Sequence, residues 1–388
     1  MYVGRDITND FEERAKAYKM VALVGARQAG KTTLLKELMK NRPSSYVMFD
    51  DPDARSLFDD DIKKFEMQYM SGVDLTVLDE VQYCADAGRK LKYLVDSGRK
   101  LWITSSSETI LGKEVLSHLV GRVSIVRLYP FTLHEFLRAR GQKVLTPAII
   151  ERSVWEHMTY GGYPKVVTTT DPKMKAVILR DLYETMLLKD VARTFSISDI
   201  GALERCVKYL AVSVGGILPY GTVSKALGIS FQTLKKYLDA LEKSYLIIPV
   251  KPFHTNKAKE ITKQPKIYFL DTGMRNAIAG RFDATPDGKV FENYVLSEIV
   301  KMGIVPKYWR TKSGAEVDFI IEIEGKVIPV EVKLSTDTAV ERSMRSFIDA
   351  YNPEKALVVS YKGKSGATRI GDCNVIFTDV TGMVELLL

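Results

Sequence analysis

Residues 25–32 read Gly-Ala-Arg-Gln-Ala-Gly-Lys-Thr, which matches the phosphate-binding loop pattern G-x-x-x-x-G-K-[ST] in full. The apolar run Val21–Val24 before it is typical of a strand, and Thr33–Met39 after it has a helical pattern. Phosphate binding requires this context, because the backbone N–H groups of the loop and the N-terminus of the helix both favour an anion. The stretch therefore predicts a phosphate-binding site between a strand and a helix.

Within this loop the residue types predict distinct roles. Lys31 is expected to reach the β- and γ-phosphates of a nucleotide, and Thr32 to offer its hydroxyl to Mg²⁺. The residues expected to contact the nucleotide are Gly25, Ala26, Arg27, Gln28, Ala29, Gly30, Lys31, Thr32 and Thr33. A chance glycine-rich turn beside a lysine is the alternative, but the pattern constrains several positions and the flanking segments agree with it.

A second segment, Asp74–Val81 (DLTVLDEV), is an apolar run that ends in two acids. Such a run is typical of a buried parallel strand, which delivers carboxylates at its C-terminal edge. We expect Asp79 to hold Mg²⁺ through water, and Glu80 to polarise the attacking water. An ordinary strand that ends in solvated acids is the alternative.

Two further positions are candidates for the same site. The strand Lys100–Ile103 runs into small hydroxyl residues at 104–107, among which Ser106 is expected to contact the γ-phosphate or a water. Serines also fill ordinary turns. Arg122, in the segment HLVGR, is a candidate arginine finger, and a surface ion pair is the alternative role for it.

Composition bounds the class of protein. The chain has 388 residues, 46% of them apolar, which suits about two to four domains with sizeable cores. The formal net charge of +8 favours a polyanionic partner. Because the four histidines are scattered and no cysteine spacing is typical of a metal site, a zinc centre is not expected. The cysteines are Cys84, Cys206 and Cys373.

The sequence also bears on location. No apolar run approaches the roughly 18 residues of a membrane span, and no signal peptide is evident. Cysteines so far apart in the sequence suit a reducing compartment. We therefore expect a cytoplasmic protein with no membrane partner.

The first 145 residues alternate short apolar strands with helical patterns, which predicts a parallel sheet covered on both faces. The predicted strands are Val21–Val24, Ser45–Phe49, Leu75–Asp79, Leu101–Thr104 and Ser124–Leu128. From Pro147 to about Phe195 the pattern is helical, with a break at 161–164 (GGYP). The helical spacing of Val177–Phe195 predicts a lid or connector.

Residues 202–250 have the pattern of a winged helix-turn-helix. The helices are expected at Ala202–Val214, Tyr220–Leu227 and Phe231–Leu241, and a wing strand is expected at Ile247–Val250. Gly228 is expected to stop the second helix, and Ser230 is a good N-cap for the third. This arrangement predicts a third helix that is available to a partner.

That third helix is the candidate nucleic-acid interface. Its inward-facing residues are expected to be Leu234, Leu238 and Leu241, and its outward-facing residues Gln232, Lys235, Lys236 and Asp239. A basic stretch, Lys251–Lys266, follows the wing strand. With the helix in a major groove, the residues expected to contact DNA phosphates are Lys235, Lys236, Lys257 and Lys259. A helical packing module with a solvated basic face is the alternative.

The last part of the chain holds another constellation of charged residues. Strands are expected at Glu316–Ile323 and Lys326–Leu334, joined by a two-residue hairpin loop, Glu324-Gly325, with glycine at a positive φ. In the register that this loop sets, Asp318 faces Glu331. Because like charges directly opposite each other are destabilising, two carboxylates at this position require a compensating cation.

Carboxylates bound to Mg²⁺ with a lysine alongside are what metal-assisted phosphodiester cleavage needs. Strand alternation places Lys333 on the same face as Glu331. Glu292, in the predicted helix Phe291–Met302, could supply a third acid. The alternative is a hairpin with solvated charges and a plain Glu316–Lys333 ion pair.

The order of these motifs resembles the AAA-type ATPases of archaea and bacteria, in which the ATPase module precedes a DUF4143-like domain of unknown function. The N-terminal motifs are GARQAGKTTLL, VLDEVQ, ITSSSE, HLVGRVSIVRLYPFTLHEFL and GGYP. The segments FENYVLSEI, YWRTKSGAEVDFII and VIPVEVKLS look like the second module, which is similar to PD-(D/E)xK nucleases, including archaeal Holliday-junction resolvases. The resemblance covers nearly the whole chain.

The resemblance implies ATP and Mg²⁺ as cofactors. It places Lys31, Thr32, Asp79 and Glu80 in the nucleotide site. It also implies a nuclease-like centre in which Mg²⁺ is held by Asp318 and Glu331. The residues implied to be catalytic there are Glu292, Asp318, Glu331 and Lys333.

The expected fold class is therefore α/β, with a P-loop NTPase parallel sheet, a helical lid, a winged helix and a small α/β nuclease-like C-terminal domain. The expected domains are 1–145, 146–198, 199–255 and 256–388. We expect an ATP-hydrolysing enzyme that acts on DNA, with metal-dependent nuclease chemistry in the C-terminal domain. The alternatives are a nucleotide-dependent switch that binds nucleic acid or protein without cleaving, and a signalling ATPase with no nucleic-acid role. A homo-oligomer is compatible with the sequence.

Overall fold

A computed structural model describes residues 2–105, 118–142, 144–186, 191–254, 263–282, 287–336 and 338–388. The chain forms two compact units. The first comprises Met1–Phe131, Met186–Ser196 and Lys243–Tyr245, and the second comprises Thr132–Thr185, Ile197–Glu242 and Leu246–Leu388. The finer division into domains at 145, 198 and 255 stays a prediction.

The first unit is built on a five-stranded sheet in the order β2-β3-β4-β1-β5. Its strands are β1 (Met20–Gly25), β2 (Ser44–Met48), β3 (Leu75–Asp79), β4 (Leu101–Ser105) and β5 (Val123–Leu128). All neighbouring strands are parallel, and every predicted strand is confirmed to within a residue. Because the strands are parallel, their C-terminal ends meet at one edge, which brings Gly25, Asp79 and Ser105 together.

Helices connect these strands and cover the sheet. They are α1 (Thr8–Ala17), α2 (Lys31–Met39), α3 (Pro52–Asp60), α4 (Ile62–Met70) and α5 (Ala87–Asp96). Phe11 of α1 packs edge-on against Trp102 of β4, with ring centroids 5.0 Å apart. The same core includes Leu34 of α2 and Val21 of β1, all nearly or fully buried. This packing fixes α2, and with it the loop that precedes α2, against the sheet.

The second unit begins with the helices that the sequence predicts after Pro147, together with a short one before it. They are α6 (Leu133–Ala139), α7 (Pro147–Tyr160), α8 (Pro164–Thr168) and α9 (Pro172–Thr185). The break at Gly161-Gly162 is explained by Asp271, whose carboxylate accepts the Gly162 N–H at 2.7 Å. Gly161 has φ +74, and a Cβ there would lie 2.0 Å from the Asp271 carboxylate, so only glycine fits.

Three helices and a two-stranded sheet follow. They are α10 (Ile200–Val212), α11 (Tyr220–Leu227), α12 (Phe231–Lys243), β6 (Ile247–Val250) and β7 (Lys266–Phe269), with β6 and β7 antiparallel. As predicted, the Ser230 hydroxyl caps α12 by accepting the Thr233 N–H at 3.0 Å. Gly228 ends α11 in the left-handed conformation.

Burial in this region differs from the sequence pattern at two residues. In α12, Tyr237 is buried together with Leu234 and Leu241, whereas Leu238, which the sequence expects to face inward, is only half-buried. Positions three and four residues after Leu234 both lie on its face of the helix, so the spacing alone does not distinguish Tyr237 from Leu238. Lys266, the last residue of the predicted basic stretch, is only 1% exposed. It lies in a buried strand and is not available to solvent-side phosphates.

The rest of the second unit is a six-stranded mixed sheet in the order β12-β13-β11-β10-β9-β8, flanked by helices. Its strands are β8 (Lys307–Arg310), β9 (Glu316–Ile323), β10 (Lys326–Thr336), β11 (Lys355–Gly363), β12 (Gly366–Ile370) and β13 (Cys373–Thr378). The helices are α13 (Thr272–Ala279), α14 (Gly288–Lys301), α15 (Arg342–Tyr351) and α16 (Val380–Leu387). Ile320, Phe347 and Val358 contribute to the core between α15 and the sheet.

The predicted hairpin is confirmed. Glu324 and Gly325 both have positive φ, at 50° and 79°. The β9–β10 pairing runs in the predicted register from Lys326 opposite Ile323 to Val330 opposite Phe319. This register brings the next residues of the two strands, Asp318 and Glu331, to the same end of the hairpin.

Two features concern the chain more widely. The cysteines Cys84, Cys206 and Cys373 are buried and free. Across the described part of the chain, no helix has the length and hydropathy that a membrane crossing requires.

Candidate active sites

The phosphate-binding loop connects β1 to α2, and its first residue, Gly25, lies against β5. Gly25 has φ +151, and a Cβ there would lie 2.0 Å from the Leu128 carbonyl oxygen of β5. Gly30 has φ +99 and immediately precedes α2, while Gln28 is also left-handed, with φ 58°. Glycines at both ends therefore let the loop fold over itself where a side chain would collide or be strained.

Lys31 is folded back over this loop. Its side chain is nearly buried, and its Nζ donates to the carbonyl oxygens of Gly25 at 3.0 Å and Ala26 at 3.2 Å. Both acceptors belong to the loop itself, so the ammonium is held against the backbone of the loop in which the sequence predicts phosphate binding.

Arg5 supports the loop from outside, and it is not part of any motif in the sequence. Its guanidinium donates to the carbonyl oxygens of Ala29 at 2.8 Å and Tyr129 at 2.6 Å. The guanidinium also lies 4.8 Å from the ring centroid of Phe131. These contacts tie the loop to the segment after β5. No local motif surrounds Arg5, so only the folded chain reveals its role.

Asp79 is the centre of the site. It is 4% exposed and is the last residue of β3, at the C-terminal edge of the sheet where the sequence predicts it. The Thr32 hydroxyl donates to its Oδ2 at 3.0 Å. The Tyr46 hydroxyl also donates to Oδ2, and the Thr104 hydroxyl donates to Oδ1. A hydroxyl and a carboxylate side by side are hard oxygen donors of the kind Mg²⁺ prefers, so these residues fit a magnesium ion.

Glu80 follows directly and is held in an unusual backbone conformation. Its φ of 60° is left-handed, a strain of about 1–3 kcal/mol that the surrounding contacts maintain. The Glu80 N–H donates to the Thr104 hydroxyl at 2.9 Å, and the Gln82 side-chain amide donates to Glu80 Oε2. These two contacts hold both the backbone and the carboxylate of Glu80 in place.

Two partners of these acids were missed or misread from the sequence. Tyr46 carried no motif, and it reaches Asp79 from the neighbouring strand β2. Burial, and then its hydrogen bond to Asp79, raise the pKa of the Tyr46 phenol. Thr104 belongs to the predicted hydroxyl run, but it is fully buried and holds Asp79 and Glu80. Ser106, the residue of that run predicted to meet the γ-phosphate, lies outside the described residues.

Arg122 lies far from this loop in its own chain. It precedes β5, whose first residue, Val123, pairs with Met20, whereas the loop follows Gly25 at the other end of β1. The separation is the length of a strand, roughly 16 Å at about 3.3 Å per residue. The Arg122 guanidinium instead donates to Asp96 at 2.7 Å. A finger role for Arg122 stays a prediction and is restricted to the nucleotide of a second copy.

The hairpin of the second unit brings Asp318, Glu331 and Lys333 together. Asp318 Oδ2 accepts the Val332 N–H at 2.9 Å. Lys333 Nζ contacts Glu331 Oε1 at 2.9 Å and Glu341 Oε1 at 2.5 Å. The other oxygen of Glu331, Oε2, is buried and has no hydrogen-bond partner among the described residues. A cation or a proton beside this oxygen would therefore be stabilising.

The pKa values of Asp318 and Glu331 are both raised, which also favours a bound proton. Burial raises the pKa of Asp318 to about 8, and the charges of Glu292 and Glu331 add to the effect. Burial also raises the pKa of Glu331, although Lys333 opposes it. Both acids are removed from water and lie close to other carboxylates. Their surroundings therefore favour a bound proton or a nearby cation.

Glu292 has a different set of partners from the one predicted. Its carboxylate accepts from the Tyr268 hydroxyl at 2.5 Å, contacts Lys289 at 2.6 Å, and lies 3.5 Å from Lys266. Lys266 also contacts Glu316 at 2.5 Å. Glu316 is therefore paired with Lys266, and the alternative Glu316–Lys333 pair expected from the sequence is wrong.

No group of three or more His, Cys, Asp or Glu residues could hold a metal ion within the described ranges. Asp318 and Glu331 as metal ligands, and Glu292 as the third acid, therefore stay predictions. Lys266 and Tyr268 were missed because both come from β7, well before the hairpin in sequence. The residues of β7, KIYF, do not indicate that this strand would be buried beside acidic side chains.

The candidate nucleic-acid residues are only partly visible. Lys235 and Lys236 are exposed on α12, as predicted. Lys235 Nζ lies 4.7 Å from the ring centroid of Phe231, which is itself half exposed at 43%. Lys257 and Lys259 lie outside the described residues. Contact of these lysines with DNA stays a prediction.

Comparison with known proteins places three family models along the chain. Residues 17–137 match an AAA domain, residues 151–285 a domain of unknown function (DUF8612), and residues 287–379 a domain of unknown function (DUF4143). The AAA match spans the loop and Asp79, and the DUF4143 match spans the hairpin acids.

Whole-chain relatives have no assigned activity. An uncharacterized protein of Mycobacterium tuberculosis is 28% identical over 342 residues, which cover 84% of this chain and 73% of the relative. An uncharacterized protein of Methanocaldococcus jannaschii is 26% identical over 376 residues, covering 92% and 84% of the two chains. A solved Walker-type ATPase of Pyrococcus abyssi is 17% identical with a TM-score of 0.46, covering 71% of this chain and 96% of its own.

The sequence resemblance is thus confirmed at the level of the domains, whereas a nuclease-like nature of the last domain is not among these findings. This chain carries an AAA domain followed by a DUF4143 domain.

Proposed function

We propose that this protein binds ATP with Mg²⁺ and hydrolyses it, and that it acts on DNA. The observation that carries the ATPase proposal is the contact between Thr32 and Asp79, 3.0 Å apart at the mouth of the phosphate-binding loop. A loop hydroxyl beside a strand-end carboxylate is the arrangement that P-loop enzymes use at their metal. The AAA family match over residues 17–137 supports the same proposal.

In this mechanism the chain's own groups act in turn. Lys31 leaves the carbonyl oxygens of Gly25 and Ala26 and neutralises the β- and γ-phosphates. Thr32 turns its hydroxyl from Asp79 toward the phosphate side, and Asp79 is then free to accept from a water. Glu80 orients the attacking water. Thr32 and Asp79 would hold Mg²⁺, which would supply positive charge to neutralise the phosphates.

Lys31→Ala tests this proposal. Loss of the buried ammonium removes the positive charge that meets the phosphates, so phosphate release is expected to fall below detection. Purified protein should be assayed with Mg²⁺ and ATP, with Lys40→Ala as the control, because Lys40 is exposed and pairs only with Glu37 in the described structure. Equal turnover by Lys31→Ala and the wild type would overturn the proposal.

The proposed action on DNA rests on charge and on the helix arrangement. The formal net charge is +8, and the exposed face of α12 presents Lys235 and Lys236. Three helices followed by the β6–β7 pair are in the order expected of a winged helix, in which lysines of the third helix meet phosphates, and this order supports the proposal.

A second candidate function is metal-dependent cleavage of phosphodiesters by the hairpin. The unpartnered Oε2 of Glu331 favours it, because a buried carboxylate oxygen beside Asp318 accommodates a divalent ion. Lys333 lies where it would stabilise charge on a phosphate. The alternative is a domain that binds nucleic acid or protein without cleaving it.

Cleavage assays with Mg²⁺ and Mn²⁺ separate these two roles. Linear, supercoiled and four-way-junction DNA should be tested with ATP present and absent, together with calorimetric metal binding. Cleavage that Asp318→Asn abolishes would support the nuclease. No cleavage of any substrate and no metal binding would leave the hairpin as a binding element.

A further inference from the structure

Tyr46 occupies a position in the sheet from which it can control Asp79. In the β2–β3 pairing, Tyr46 lies opposite Val77 and Met48 lies opposite Asp79. Side chains two residues apart point to the same face of a sheet, and a long side chain reaches its diagonal neighbour on the next strand. The Tyr46 hydroxyl accordingly meets Asp79 from the side of β2.

Each oxygen of Asp79 has a donor on a neighbouring strand. Thr104 of β4 donates to Oδ1, and Tyr46 of β2 donates to Oδ2. Thr32 is the remaining donor, also on Oδ2 at 3.0 Å, and it lies on α2. If Thr32 turns toward a metal, Tyr46 is the donor left on Oδ2, so it decides how that oxygen points.

The tyrosine is itself held in place. Lys36 Nζ lies 4.7 Å from its ring centroid, and the ring packs against the core of the first unit. The hydroxyl of this ring donates to the Asp79 carboxylate. A fixed ring with an obligatory donor is suited to orienting its acceptor.

We propose that Tyr46 is a positioning residue of the magnesium centre, whose hydroxyl keeps the Asp79 carboxylate turned so that it can hold a water of the metal. This inference rests on the proposed ATPase function. It goes beyond that function by assigning the affinity for Mg²⁺ to a residue outside the sequence motifs. Partners of this kind commonly change metal affinity by about 10–100-fold when they are removed.

Tyr46→Phe tests the inference, because it removes the hydroxyl and keeps the ring. The measurement is equilibrium binding of a fluorescent ATP analogue as Mg²⁺ is titrated. We expect Tyr46→Phe to require about tenfold more Mg²⁺ for half-maximal tightening, with unchanged affinity in EDTA. Hydrolysis at saturating Mg²⁺ should recover most of the wild-type rate.

Tyr69→Phe is the matched control, because Tyr69 packs its ring on Phe65 at 4.9 Å, away from Asp79. Thermal unfolding of both variants reports any general loss of stability. An unchanged Mg²⁺ midpoint in Tyr46→Phe would overturn the inference, and so would an equal loss of affinity in EDTA, which would assign Tyr46 to the loop. If the wild type shows no Mg²⁺-dependent binding, the proposed function fails first and takes the inference with it.

Discussion

The most constrained residue of the first unit is Asp79, because three hydroxyls from three different elements donate to it. A buried carboxylate loses its hydration, and hydrogen bonds from fixed donors replace it. The hydrogen bonds thus hold the carboxylate in one orientation before any cation arrives. Because the carboxylate is already oriented, it can accept a hydrogen bond from a metal-bound water without first having to reorient.

Asp318 differs from Asp79, because two of the groups that act on it are carboxylates, Glu292 and Glu331. Its pKa is raised from an ordinary 3.8 to about 8 by burial, and then by Glu292 and Glu331, while Lys266 lowers it. An acid of this kind binds more protons in the folded than in the unfolded chain. Its contribution to stability is therefore complete below about pH 4 and is lost as the pH rises through about 8.

Asp318→Asn is accordingly expected to raise the urea midpoint of unfolding relative to the wild type at pH 8, and to flatten the decline between pH 5 and pH 8. Unfolding should be followed in EDTA, so that no metal contributes. Asp349→Asn on α15 is the control, because its carboxyl is exposed. A wild-type pH profile in Asp318→Asn would show that the carboxyl is not held neutral by its surroundings.

Among the helices, α12 is the one for which we propose contact with DNA. Lys235→Ala with Lys236→Ala is expected to weaken duplex binding and to reduce the slope of log affinity against log salt by up to about two units, if both lysines release counterions from phosphates. Fluorescence anisotropy at several salt concentrations measures this slope.

The control is a second pair of adjacent exposed lysines, Lys63 and Lys64 on α4. Changing that pair to alanine alters net charge equally without touching α12. An unchanged salt slope in the α12 variant, or an equal change in both variants, would return α12 to a packing role with a solvated face.

The elements also show what could be predicted from the sequence. The loop before α2 and the Glu324-Gly325 turn were predictable, because backbone conformation at glycine and the spacing of neighbouring residues determine them locally. Tyr237 was not expected on the inward face of α12, since pattern reading favours the aliphatic Leu238, but Tyr237 is buried and Leu238 only half-buried. Local sequence does not resolve which of two adjacent positions on a turn faces inward.

The missed residues share a physical reason. Arg5, Tyr46 and Lys266 each reach their partners from a distant segment, through sheet order or the path of the terminus. Nothing in their immediate sequence differs from that of ordinary surface or core residues. The motif positions of the nucleotide site were predictable, and the groups that hold those positions in place were not.

At the scale of the whole molecule, Arg122 raises the question of assembly. Because it lies at the end of the sheet opposite the loop, it can serve only the nucleotide of another copy. If it does, turnover per chain should rise with protein concentration, and Arg122→Ala should lower turnover by about 10³-fold or more. Phosphate release over a dilution series measures both effects.

Asp96→Ala separates this role from a structural one, because it breaks the same ion pair and leaves the arginine in place. Turnover that does not depend on concentration, or an equal loss in Asp96→Ala, would reduce Arg122 to the surface ion pair that the sequence offered as its alternative.

We propose that the first unit hydrolyses ATP at a site in which Asp79 holds Mg²⁺ through water and Glu80 polarises the attacking water. Glu80→Gln keeps the shape of the side chain and the Thr104 contact of its backbone, but removes the charge that polarises water. The decisive measurement is single-turnover hydrolysis of Mg²⁺·ATP beside equilibrium nucleotide binding. Wild-type affinity with hydrolysis slowed by about 100-fold or more is the predicted result, and hydrolysis at the wild-type rate would contradict it.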